Sequence, residues 1–235
     1  MKNLDVVIIS YTKDQECYDL TYNCLKTLFE SESEIDIKAI VVESQHGIDW
    51  FKEMGGSKNI ETLKAPLPYG YHKFLNFGRK HGTSEYVALC NNDLVFHKNW
   101  ASKIIDFGES NPEFMSFSPI CPQTQPKMGI GINTGVYSGL VIRATVSGWC
   151  IVQKRKIYDV IGDLDERYTH WYSDNDYAMT LGSKGLNHFL VTDSIVEHHH
   201  RMLGRTTEIV IEDKESLDKM TFGEEKTFKE KWNLK

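Results

Sequence analysis

Over its first 96 residues the chain alternates short β-branched runs with stretches of helical spacing, and that alternation admits few folds. Asp5 to Ile9 predicts a first buried strand, since Val6-Val7-Ile8-Ile9 is nearly all β-branched. Ser10-Tyr11-Thr12-Lys13-Asp14 follows as a loop, after which Cys17, Leu20, Cys24, Leu25, Leu28 and Phe29 recur at helical spacing. Lys38 to Val42 predicts a second strand, ending at Glu43-Ser44. Ile60 to Lys64 predicts a third, before the breaker segment Ala65-Pro66-Leu67-Pro68-Tyr69-Gly70. Tyr71 to Lys80 predicts a helix with Phe74, Leu75 and Phe77 inward. Strands and helices in this order pair in parallel through right-handed crossovers. The chain is therefore expected to be α/β, with a Rossmann-like, mostly parallel central sheet flanked by helices. At 235 residues, a single domain is expected.

The alternation leads into Ser84 to Phe96. An apolar run ending at Cys90 breaks into Asn91-Asn92-Asp93, and apolar residues resume at Leu94-Val95-Phe96. Three small polar side chains there either form a turn, bonding their own backbone, or face a ligand at a strand end. Neither Gly-x-Gly-x-x-Gly nor a Walker-type loop follows the first strand, so any nucleotide is held by another device.

Beyond it, Trp100 to Ser110 predicts a helix and Phe114 to Ser118 a strand. Pro119 to Gly148 is rich in Pro and Gly, and its alternating run Tyr137 to Val146 suits a hairpin or an edge strand. Gly148 to Val152 predicts a strand, and Arg155 to Ile161 a short helix closed by Gly162. Ser173 followed by Asp176 has the form of a capping box, opening a helix that runs to Lys184-Gly185. Leu186 to Val191 predicts a strand, and Ile195-Val196 leads to His198-His199-His200. The charged tail from Asp213 predicts a helix packing through Leu217, Met220, Phe228 and Trp232.

Composition narrows the function classes. The net charge of −6 and the lack of a basic stripe argue against non-specific nucleic-acid binding, and a nucleic-acid acceptor is not expected. Five scattered cysteines show neither a disulfide framework nor zinc-site spacing. No apolar run approaches membrane-spanning length, and no signal-peptide pattern opens the chain, so a cytoplasmic location is expected.

Several side chains carry candidate chemistry. Asp93 and its Asn neighbours could hold a divalent cation or sugar hydroxyls, with substrate phosphates completing a hard cation's shell. Of the three adjacent histidines only one or two can face one point, because side chains alternate along a strand. Asp174, at a helix start after Trp171 and Tyr172, has the character of a general base or of an ordinary helix-terminal acid. Tyr11 could stack a nucleobase or roof the core; Glu43 could accept from a base or ribose, or cap the next segment.

Taken in order, these pieces resemble a family 2 glycosyltransferase of the GT-A fold over most of the chain. Val6 to Thr12 resembles that family's opening strand and loop, and Val41-Val42-Glu43-Ser44 its second strand. Tyr71 to Gly78, with Asn76, resembles its phosphate-side helix, and Tyr86 to Phe96 the strand ending in its DXD motif. Gly148-Trp149-Cys150 through Glu166 resembles the acceptor-side segment, Tyr172 to Asp176 the "ED" region, and Val196-Glu197-His198 the late metal-ligand histidine. The resemblance implies transfer of a sugar from a nucleoside-diphosphate sugar, a UDP-sugar above all, to a hydroxyl of a glycan or other acceptor, with inversion. It implies a donor-binding half over 1–96, an acceptor and catalytic half over 97–212, and a helical tail over 213–235. Ser10, Tyr11, Glu43, Lys73, Asn76, Asn91, Asn92 and Asp93 would then serve the donor. Asp93 and His198 would hold Mn²⁺ or Mg²⁺, Asp174 would be the base, and Trp149, Trp171 and Asp176 would lie on the acceptor side. Arg201 or Arg205 would contact phosphates.

Asn91 and Ser173 depart from the family's acidic residues, and Pro119 to Ser147 matches none of its segments. The competing expectations are a nucleotide-sugar-binding protein without transfer, and a nucleotidyltransferase on a similar fold. A metallohydrolase built on the histidine run ranks behind both.

Overall fold

The structure is a computed structural model describing residues 2–45, 47–56, 58–199 and 214–235. Among the described residues nine strands form one sheet: β1 (Lys2–Ser10), β2 (Ile35–Glu43), β3 (Ile60–Lys64), β4 (Tyr86–Cys90), β5 (Leu94–Phe96), β6 (Ser116–Ile120), β7 (Val136–Ser138), β8 (Cys150–Lys154) and β9 (Phe189–His198). The helices are α1 (Gln15–Ser31), α2 (Trp50–Glu53), α3 (Tyr71–Arg79), α4 (Trp100–Ser110), α5 (Tyr158–Ile161), α6 (Ser173–Ser183) and α7 (Lys214–Trp232). Strand order is β3-β2-β1-β4-β8-β6-β9-β5, with β7 added on β9.

The N-terminal part is the predicted parallel sheet, β1 pairing in parallel with both β2 and β4, and β2 with β3. The C-terminal part is mixed. β8 runs antiparallel to β4 and β6, β9 runs parallel to β6, and β5 and β7 run antiparallel to β9. Parallelism therefore holds where helical crossovers separate the strands and ends at β8, which follows the irregular segment 121–149 instead of a helix.

Both sheet faces are covered. Leu25 and Leu28 of α1 and Trp100 and Ile104 of α4 pack with Val6, Ile8 and Val41. Phe74 and Leu75 of α3 and Tyr177 and Leu181 of α6 pack with Val7, Val42, Val87 and Leu89. Each such buried side chain contributes about 1.5–3 kcal/mol. A β-carbon on Gly78 would stand 2.4 Å from Val7 and 2.9 Å from Val42, so α3 lies directly on the strands there. Ser84 N and Oγ donate to Asp5, whose Oδ2 also pairs with Arg155 at 2.5 Å; this fixes β4 between β1 and β8.

Two local expectations are corrected. Helix α6 starts at Ser173, not after it, and Ser173 Oγ donates to the carbonyl of His170, so no capping box forms. The cap position is Tyr172, in the left-handed region at φ 58°. Of the alternating run 137–146 only the first residues join a strand, as the edge strand β7; the remainder turns back on itself between Val141 and Val146. Leu217 and Met220 fall outside the described side chains, whereas Phe228 is buried against Tyr168 and Tyr172. Among the described residues no helix is long and apolar enough to cross a membrane.

Candidate functional site

The sheet's topology brings the candidate residues to one edge. β1, β2 and β4 end together at Ser10, Glu43 and Cys90, the carboxyl ends where open α/β sheets take ligands. Because β8 runs the other way, its start lies beside the end of β4, and Asn91 N donates to Trp149 O at 3.0 Å. β9 finishes against β5, placing His198 opposite Leu94, and His199 N donates to Asp93 O at 2.9 Å. Asp93, His198, Trp149 and Gly148 are thus neighbours although they are far apart in sequence.

Asp93 is buried, 7% exposed, with Oδ2 at 3.3 Å from His198 Nε2. Its Oδ1 is buried with no hydrogen-bond partner. Buried carboxylate oxygens are ordinarily satisfied, by protein donors, ordered water or a cation. The His198 ring stacks on Trp149 at 5.6 Å and 14°, which fixes the imidazole plane facing Asp93. Among the described residues no group of three or more His, Cys, Asp and Glu is arranged to hold a metal. The donors at this point are one carboxylate and one imidazole, so a divalent ion held here would need ligand oxygens at its other positions.

Asp174 occupies the first turn of α6 and makes no hydrogen bond to a described residue. Its carboxyl lies against Gly148: a β-carbon there would stand 2.0–2.1 Å from the carboxyl atoms. Burial pushes its pKa up to about 6, with Arg143 and His198 partly offsetting the rise. Tyr71 lies between the two acids. Its hydroxyl is 3.0 Å from both Asn91 Oδ1 and Gly148 O, and burial, reinforced by the Asp174 charge, pushes its pKa well up. A carboxylate titrating near neutrality beside a cation-ready acid and imidazole can accept a proton from a bound hydroxyl.

The other predicted residues divide into those whose side chains make no hydrogen bond to a described residue and those bound internally. Tyr11 is half-buried after β1 without a hydrogen bond to a described residue, and Trp171 is 36% exposed, edge-on to His170 at 4.9 Å. Trp149 is buried as the platform for His198. Ser10 Oγ and Asn92 Nδ2 both bond Thr21 Oγ1 of α1, at 3.0 and 2.8 Å, which locks the loop after β1 to the turn after β4. Glu43 accepts from Thr12 N, Gln45 N and Trp50 Nε1, so its carboxylate braces the surrounding loops. Lys73 Nζ donates to Pro68 O. Asn76 is buried with its amide taken by Leu164 O, Leu164 N, Glu166 and Arg79, so it anchors the 163–166 loop where a donor contact was expected. Asp176 is held by Lys231 and Trp232 of α7, where an acceptor-side role was expected. His200, Arg201 and Arg205 lie outside the described residues.

Sequence reasoning missed Gly148 as the seat of Asp174, Tyr71 as the link to Asn91, and Arg143 as the cation beside Asp174. It also missed Glu224 of α7, which is 5% exposed and accepts from Thr169 N at 2.8 Å and His170 N at 3.3 Å, tying the tail to the segment entering α6. The one available signal was Gly148, a glycine placed directly before an aromatic residue and a strand.

No family model matches the chain. A curated protein that does match, 24% identical over 176 residues, is the uncharacterized protein y4gI of Sinorhizobium fredii (strain NBRC 101917 / NGR234). The match covers 65% of this chain and 19% of that protein, so the chain spans about a fifth of its relative's length. Among solved structures, GalNAc-T7 with UDP, GalNAc and Mn²⁺ superposes with a TM-score of 0.63 at 11% identity, over 83% of this chain and 43% of the other. The mannosyltransferase PcManGT from Pyrobaculum calidifontis, with GDP-Man and Mn²⁺, gives 0.64 at 14% identity, over 88% and 61%. The fold is that of the GT-A glycosyltransferases.

Proposed function

We propose that this chain is a metal-dependent, inverting glycosyltransferase of the family 2 kind, moving a sugar from a nucleoside-diphosphate donor to an acceptor hydroxyl. The observation that carries the reading is the pairing of Asp93, whose buried Oδ1 has no partner among the described residues, with His198 stacked on Trp149, and the Asp174 carboxyl seated against the adjacent Gly148. A divalent ion held by Asp93 and His198, Mn²⁺ or Mg²⁺, would neutralise charge on the departing diphosphate. The solved neighbours bound to UDP or GDP-Man with Mn²⁺ support this choice of ligand class.

The chain's own residues supply the rest. Residues 1–96 form the donor half, where Tyr11 stacks on the base and Glu43 holds the loops that enclose it. Residues 97–212 form the acceptor half, with Trp171 exposed as a surface for a sugar ring. Asp174 takes the proton of the attacking hydroxyl at a carboxylate oxygen. Its pKa near 6 makes it a stronger base than an ordinary aspartate while leaving it ionised at neutral pH. Gly148 allows this position because it has no side chain, and Trp149 holds His198 in plane. Direct attack from the Asp174 side, opposite the leaving diphosphate, inverts the anomeric centre.

Incubation with UDP- and GDP-sugars and Mn²⁺, using water as the stand-in acceptor, tests this by NMR of the released sugar. Metal-dependent release with inverted initial configuration is expected. Release with retained configuration contradicts Asp174 as the base. Metal-dependent donor binding without release would select the non-catalytic binder, and transfer of a nucleotidyl group the nucleotidyltransferase.

A further inference from the structure

The cation beside Asp174 has no hydrogen-bond or ion-pair partner among the described residues. Arg143 is exposed, and its guanidinium makes no hydrogen bond or ion pair with a described residue. Its backbone is nevertheless fixed. Arg143 stands at φ 68°, in the left-handed region that side chains other than Gly, Asn and Asp rarely adopt. Arg143 N donates to Val146 O at 2.8 Å, and Arg143 O accepts from Gln125 Nε2 at 3.0 Å. Gln125 is fully buried, and its amide also accepts from Cys121 N at 2.8 Å and donates to Ser147 Oγ at 2.9 Å. The carbonyl of Val141 receives both Thr145 N and Val146 N, which closes the turn. A disfavoured conformation is thus maintained from both sides at the residue whose side chain is uncommitted, and strain of this kind collects at ligand sites.

The turn also has a defined place. Two residues beyond Val146, Gly148 meets the Asp174 carboxyl, and Leu140 lies against Gly182 of α6, the helix that carries Asp174. Arg143 is the cation that most offsets the Asp174 charge. Asp93 and Asp174 alone would repel an anionic substrate, and Lys73 is already bonded to Pro68 O. A planar guanidinium suits two-pronged binding of phosphate or carboxylate.

We propose that Arg143 binds an anionic oxygen group of the substrate beside Asp174, either a phosphate of the donor diphosphate or an acid group on the acceptor. The claim rests on the glycosyltransferase reading only for which substrate carries the anion. Calorimetric titration of wild type and Arg143→Asn tests it with two probes. The first is UDP or GDP with Mg²⁺; the second is inorganic phosphate, alone and with UDP and Mg²⁺ saturating. Asparagine accepts the left-handed backbone, so the variant is expected to fold with an unchanged or higher Tm. Loss of a charged, two-pronged contact weakens anion binding by about tenfold or more, and Arg143→Lys recovers only part of it.

A fall in UDP or GDP affinity assigns the donor phosphate. An unchanged nucleotide affinity with weakened phosphate binding at saturating UDP assigns the acceptor's acid group. Equal affinities of wild type and Arg143→Asn for both probes, or no binding of either probe by wild type, overturn the proposal. Phosphate binding that depends on Arg143, in a wild type that binds no nucleoside diphosphate, would instead overturn the glycosyltransferase reading alone.

Discussion

Replacing Asp174 with asparagine removes a charge that the fold destabilises. The carboxyl is seated against Gly148 with no hydrogen bond to a described residue, and burial raises its pKa from 3.8 to about 6. A rise of roughly 2 units at about 1.36 kcal/mol each corresponds to up to about 3 kcal/mol of folding free energy. The sign follows from the proton count. The folded chain holds the proton more tightly than the unfolded chain, so wild type carries no penalty below pH 3.8. Stability is lost as pH rises between 3.8 and about 6, and the full loss persists above that. Asparagine is neutral throughout. Differential scanning fluorimetry at pH 7.5 should therefore show Asp174→Asn melting above wild type, by at most roughly 6–12 °C for a chain of this length. The two should converge at pH 4. In the same variant, sugar transfer should fall about 10²- to 10⁴-fold through loss of the base. Equal melting points at pH 7.5, or a variant with full transfer activity, would refute the reasoning.

Gly148→Ala places a methyl within 2.1 Å of the Asp174 carboxyl, and is expected to lower stability by about 1–3 kcal/mol and to depress transfer, read by melting and initial rates. The rate of transfer is expected to rise with pH to a plateau, with its half-point near 6 as Asp174 ionises; a flat profile from pH 5 to 8 would contradict its role. Glu224→Ala leaves Thr169 N and His170 N without their acceptor, and should cost about 1–3 kcal/mol, measured by urea unfolding. His198→Ala should abolish stabilisation by Mn²⁺ while leaving the melting point without metal within a few degrees of wild type.

What was legible in the sequence follows from periodicity. Val6 to Ile9 lies in a strand buried on both faces, as its β-branched run implies, Ile60 to Lys64 in the edge strand β3, and Tyr71 to Lys80 in a helix buried along one side; those elements form nearly as expected. The 141–146 turn was not legible, because it is held by the buried amide of Gln125, which bonds Arg143 O and Ser147 Oγ. Asn91, Asp93 and His198 were singled out because polar side chains at strand ends stand out against apolar runs. Asn76, Glu43 and Asp176 are also polar among apolar neighbours, yet the backbone groups and side chains that bind them come largely from other segments, which no local pattern displays. Gly148 and Arg143 bear on Asp174 only through the packing of 139–148 on α6.

The central claim is that Asp93 and His198 hold a divalent ion that serves a nucleoside-diphosphate donor. A thermal-shift panel of UDP- and GDP-sugars, each with and without Mn²⁺, measured on wild type and Asp93→Asn, tests it most directly. The account predicts stabilisation of wild type by one nucleotide class, dependent on Mn²⁺ and lost in Asp93→Asn. Equal shifts with and without metal, or a shift that survives in Asp93→Asn, would contradict it.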